Sequence, residues 1–172
     1  MVVLSITFLA PIHPKAQTQI GYSGITGGSG DGMGQAAALI TSANSSGVVW
    51  RAGVNATEPI KSGLIFVDQR GCRTGIALAN SSDQVVPATL ILRDALGEEL
   101  TRSSYTLRPR QQSALFLDEL FPNMASDFVG SLSFESDVNL AAIGLRENQN
   151  LYGEPILSAL PVIDLAHRRL SR

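Results

Sequence analysis

From Ala36 onward one pattern dominates the chain: a short run of apolar and β-branched residues, a few turn residues, then another run, at intervals of about eight to twelve residues. No segment there keeps apolar residues in phase at helical spacing for about three turns, so a mainly helical fold is excluded. The runs predict strands over 47–54, 60–67, 74–79, 86–93, 98–107, 112–117, 129–135, 139–146 and 155–163, with 37–41 as a further candidate. Short strands in that number and spacing predict an all-β domain folded as a two-sheet antiparallel β-sandwich of the immunoglobulin-like kind.

The stretch TLILRDALGEEL (89–100) tests this reading, because Ala, Leu and Glu in its second half favour helix while its first half favours strand. Gly97 would interrupt the helix, and Asp94-Ala95-Leu96-Gly97 suits a type I turn closed by a residue at positive φ. The prediction is therefore a hairpin with Leu96 at its tip. One helical turn is predicted at LDELFP (117–122), as a crossover between sheets in which Asp118 caps the turn that Glu119 begins.

The first third of the chain reads differently. Residues 1–20 carry an apolar run from Val2 to Ile12, too short to span a bilayer. Two readings of it stay open. It has the length of an export-signal core without a basic start, and it also reads as a strand with Val2, Leu4, Ile6 and Phe8 on one face, able to add to an open sheet edge of a neighbour. Residues 21–35 hold seven glycines and few apolar side chains, which predicts a flexible linker. That run has neither the Lys-Ser/Thr of a phosphate loop nor a second acidic ligand at calcium-loop spacing. The sandwich is then expected over 36–163 and a basic tail over 164–172.

Composition limits the chemistry. Thirteen Lys and Arg against fifteen Asp and Glu leave a net charge of −2 and no basic stripe, so nucleic acid is not an expected partner. No transmembrane segment is predicted. Cys72 is the sole cysteine, which rules out an intrachain disulfide and a cysteine-based metal cage. It lies between Arg70 and Arg73, neighbours of the kind that make a thiol reactive, although a bystander role is the simpler reading. Both histidines, His13 and His167, fall in the tails, so no histidine base or zinc triad is expected inside the domain. The paired acids Glu98-Glu99 and Asp118-Glu119 follow a hairpin tip and open a turn, positions that suit solvated charges better than two carboxylates facing across a cleft. Arg93, Asp94, Arg146 and Glu147 sit at predicted strand ends, where cross-strand pairing is expected. Neither catalytic residues nor cofactors nor metals are predicted.

Taken together, TGIALANSS (74–82), ATLILRDALGEEL (88–100), QSALFLDELFP (112–122), FVGSLSFESDVNLAAIGLRE (128–147) and ILSALPV (156–162) resemble a recurrent sandwich module of large secreted bacterial proteins. The resemblance covers about residues 47–163. It implies an immunoglobulin-like or fibronectin-like sandwich, exported, with no assigned catalysis. The expected function is thus a non-catalytic structural or interaction module, secreted or on the cell surface, with protein partners or self-association. A carbohydrate-binding module is the alternative, with Trp50 or Tyr105 as the ring platform, and a fibre or surface-layer subunit assembled by strand addition is another. The segments 47–66 and 130–146 also look like two hairpins of one design. Three Asn-X-Ser/Thr sequons, at Asn44, Asn55 and Asn80, are read as Asn-Ser turn chemistry.

Overall fold

The computed structural model describes residues 57–151, 153 and 155–166 in full. Before them it gives the backbone course of four strands, β1 (Val2–Ser5), β2 (Tyr22–Ile25), β3 (Ala37–Asn44) and β4 (Gly47–Asn55). The described part is predominantly antiparallel β-sheet. β5 (Ile60–Asp68), β6 (Arg73–Ala79), β7 (Val86–Asp94), β8 (Glu99–Leu107) and β9 (Gln112–Phe116) come first, and a single helical turn, α1 (Leu117–Leu120), interrupts the series. β10 (Val129–Gln149), β11 (Pro155–Leu160) and β12 (Ile163–Asp164) complete it.

β1 pairs with β2 and β3 with β4, while the eight later strands form one hydrogen-bonded set. Its centre is β10. The first half of β10, Val129 to Ser136, runs between β5 and β7, and β12 and β8 extend this first ladder on its two sides. The second half, from Ala141, runs between β6 and β11, with β9 outside β6, and makes the second ladder.

The 21-residue β10 replaces the two strands expected over 129–135 and 139–146. The polar run Glu135-Ser136-Asp137-Val138-Asn139 looked like a turn. It contains neither Gly nor Pro to take the special backbone angles of a tight reversal, and the chain passes through it as a bulge between the Ser62 and Ile60 registers. Leu132, Phe134, Leu140 and Ala142 keep the same parity across the bulge and all enter one core. The proposed hairpin echo fails for the same reason: 130–146 is one strand, β4 pairs with β3, and β5 pairs with β10. The strand expected over 155–163 is divided the other way, at Pro161-Val162, so that β11 joins the second ladder and β12 the first. Tyr22–Ile25, inside the expected linker, is a strand paired with Val2–Ser5 of the same chain.

The core draws on both ladders. Ile65, Val67, Leu90, Leu92, Leu107, Leu132 and Phe134 come from the first, and Ile76, Leu78, Leu140 and Ala142 from the second. Leu117 and Phe121 close it from the α1 region, which links β9 to β10 and so carries the chain from one ladder to the other. The 89–100 stretch is a hairpin as expected: the amides of Leu96 and Glu98 both donate to the Asp94 carboxylate at 2.9 Å, Gly97 has φ 90°, and Leu96 is exposed at the tip.

Candidate functional site

The densest set of chemically capable side chains lies where β5 turns into β6. The connection Gln69-Arg70-Gly71-Cys72 is tight, with Gly71 at φ 67°, and it folds back on Asp68. Arg70 grips the Asp68 carboxylate with Nε and Nη2, both at 3.0 Å, and its own amide donates to the same group. Those bonds pull Asp68 from an ordinary 3.8 to about 2, its side-chain bond with Arg70 contributing most. Thr74, fully buried, donates its hydroxyl to the Asp68 carbonyl at 3.0 Å, and its amide donates to Gln69 Oε1 at 2.6 Å.

Cys72 belongs to this network as a donor. Its Sγ donates to the Asp68 carbonyl at 2.8 Å. Neither flanking arginine is aimed at it: Arg70 holds Asp68, and Arg73 holds Asp118 at 2.8 Å while stacking 3.9 Å above the Phe116 ring. Arg73 also reaches Glu147 at 3.7 Å. Asp118 is thereby an ion-pair partner and not the cap of α1. Glu119 fills that role, accepting from the Phe116 amide at 2.8 Å. The long Glu119 side chain can reach back over one turn, whereas Arg73 on the neighbouring strand draws Asp118 away.

A second charged group covers the first ladder near the hairpin. Glu99 takes a fork from Arg102, both bonds 2.7 Å, and lies 3.9 Å from Arg93, whose Nη1 donates to Ser133 Oγ at 2.7 Å. Glu99 is held below its ordinary value chiefly by the Arg102 bond. A bulge between Leu92 and Arg93 sets Glu99 opposite Arg93. The other loop end is organised by Asn80, which is 1% exposed. Its amide nitrogen donates to the carbonyls of Gln84 and Arg108, and its oxygen accepts from the amide and hydroxyl of Ser82. The Asn80 sequon is therefore turn chemistry, with its amide fully engaged in the interior. Asp83 beside it takes a fork from Arg110.

Tyr105, one of the two expected platform residues, packs half-buried against the core with its hydroxyl 2.6 Å from Ser113 Oγ. Trp50 lies on β4, and its side chain is outside the described residues; so are those of Val2 and Leu4 on β1, and Ile6 and Phe8 altogether. The carboxylates of Glu99, Asp118 and Glu119 are each engaged with a different partner. Among the described residues no group of three or more His, Cys, Asp or Glu side chains is placed to hold a metal, and no helix is long and apolar enough to cross a membrane.

One feature escaped sequence reading. On the side of the second ladder turned away from the core, Ala77, Ala79, Phe116, Ala141, Ile143, Leu145 and Leu157 are all at most 5% exposed. The signal was present in TGIALA and LAAIGL, continuous apolar runs where a one-faced strand would alternate.

Fold and side chains thus define a predominantly antiparallel all-β domain with charge concentrated at strand ends and one extra apolar face. Thermotoga maritima 1070, known from a crystal structure, is similar in fold. The superposition spans 62% of this chain and 95% of that one, with a TM-score of 0.51 at 13% sequence identity. No protein-family model matches the sequence, and no curated protein matches it.

Proposed function

We propose that this chain is a non-catalytic interaction module, built as an immunoglobulin-like β-sandwich and working in a secreted or cell-surface protein. The sandwich reading is supported by one core filled from both ladders and by β10, which passes from one to the other as strands do at sandwich corners. The export reading is supported by the resemblance of segments 74–82 to 156–162 to modules of secreted bacterial proteins.

The observation that carries the interaction reading is the second buried apolar face. A sandwich needs one apolar face per sheet, and this second ladder has two; the second is closed to solvent within the chain itself, so it is a face on which one segment packs against another. Carboxylates that would serve catalysis are instead spent on structural ion pairs and a helix cap. Two measurements on the full chain test the reading. Sedimentation equilibrium over a wide concentration range is expected to show self-association, and a glycan array to stay silent. A strictly monomeric chain that binds a glycan, and loses it in the Trp50→Ala variant, would transfer the assignment to carbohydrate binding.

A further inference from the structure

Two of the first four strands lie beside the second ladder, and of these β4 has Cα atoms within 8 Å of β11 at the ladder's margin. Cα atoms of β1 come within 8 Å of those of both β6 and β10. Neither of those strands has an edge to offer in the second ladder: β6 is hydrogen-bonded to β9 and β10, and the second half of β10 to β6 and β11. A strand close to both, and paired with neither, fits over one of the ladder's faces. The inner face is filled by Ile76, Leu78, Leu140 and Ala142, which pack into the common core. That leaves the far face, where Gly75, Ala77, Ala79 and Ala141 form a shallow floor between Phe116, Ile143 and Leu145.

The floor explains the distance. Stacked sheets ordinarily lie about 10 Å apart because side chains of both fill the gap. Glycine and alanine on one side remove most of that filling, so a strand can settle closer. A Cβ at Gly75 would meet the Leu115 carbonyl oxygen at 2.7 Å, so even a methyl group there is excluded by backbone. The sequence of β1, Val-Val-Leu-Ser, is the apolar match to such a floor.

We infer that the far face of the second ladder is a docking surface for a short extended apolar strand, and that Val2–Ser5 of this chain is the strand it takes. This deepens the module reading above by naming the interaction surface.

The test uses the full chain. In a C72S background, which removes the native thiol, V3C and L4C are each combined with A77C on the floor, so that either orientation of the strand is sampled. Mild oxidation is expected to close at least one pair. A faster-migrating monomer on a non-reducing gel means docking within the molecule, a covalent dimer means docking between copies, and both support the inference. It is overturned if the thiols at 3 and 4 remain free to alkylation while circular dichroism shows an intact fold, or if they couple instead to T101C on the β8 edge. If A77C disturbs folding, A141C on the adjacent strand replaces it. Failure of these cross-links would remove the docking strand but leave the module reading to the sedimentation and glycan measurements.

Discussion

The two ladders turn very different far sides outward. On the first, Phe66 is 55% exposed, Ser131 lies between Phe66 and Arg93, and Arg93, Glu99 and Arg102 form a charged group over the strands that covers Ser133 and leaves it 1% exposed. On the second, the equivalent positions are Ala, Ile and Leu and are closed to solvent. Both ladders share β10, so one strand of continuous sequence presents a polar, partly exposed face in its first half, SLSFES, and an apolar, closed one in its second, LAAIGL. A polar alternation and an unbroken apolar run lead to different surroundings even though the backbone geometry is the same.

The largest expected effect puts the same change on both faces. Leu145→Asp places a carboxylate where the side chain is 1% exposed, and should cost about 4 kcal/mol or more, a large fraction of a domain's ordinary stability. Phe66→Asp on the other face should change the stability read from urea unfolding by no more than about 0.5 kcal/mol. Equal effects at the two sites would end the distinction between a wet and a dry face.

Next comes Gly75→Ala. The added methyl group meets the Leu115 carbonyl and the Phe116 ring, so thermal unfolding should shift down by about 1–3 kcal/mol in stability. An unchanged melting temperature would show that the floor is not tightly packed. Tyr105→Phe, which leaves Ser113 Oγ without its partner at 2.6 Å, should cost about 1 kcal/mol in the same assay.

The rim at Asp68 supplies a pH signature. Its folded-state value, about 2, lies below the unfolded 3.8, so the stability it contributes is in place above about pH 4 and is lost as the pH falls towards 2. Arg70→Ala should remove that contribution above about pH 4 and so flatten the acid limb of a stability-versus-pH curve. The smallest effect is expected from Glu99→Gln on the wet face, where exposure and salt screen the Arg93–Glu99–Arg102 group. Its urea midpoint should be indistinguishable from that of the unaltered chain in high salt.

Much of this molecule is legible in the linear pattern. The spacing of apolar runs from Ala36 predicts an all-β chain, and Asp94 with Gly97 marks the hairpin because an Asx turn and a positive φ are local requirements that few residues meet. The helical turn at 117–120 is equally local. What the pattern misreads is whatever depends on a distant partner. ESDVN looks like a turn until β6 and β11 are present to receive the second half of β10. Asp118 looks like a cap until Arg73, brought alongside by the β6–β9 pairing, competes for it.

Local sequence, then, determined strand character and the hairpin turn at Asp94 and Gly97, because backbone propensity and the period-two burial rule act over a few residues. The tertiary structure alone decided that β10 is a single strand shared by two ladders, that Asn80 and Thr74 are buried polar hubs, and that the second ladder is dry on both sides. Those outcomes depend on which strands meet across long stretches of chain, and the free energy that selects them comes from burying both partners at once.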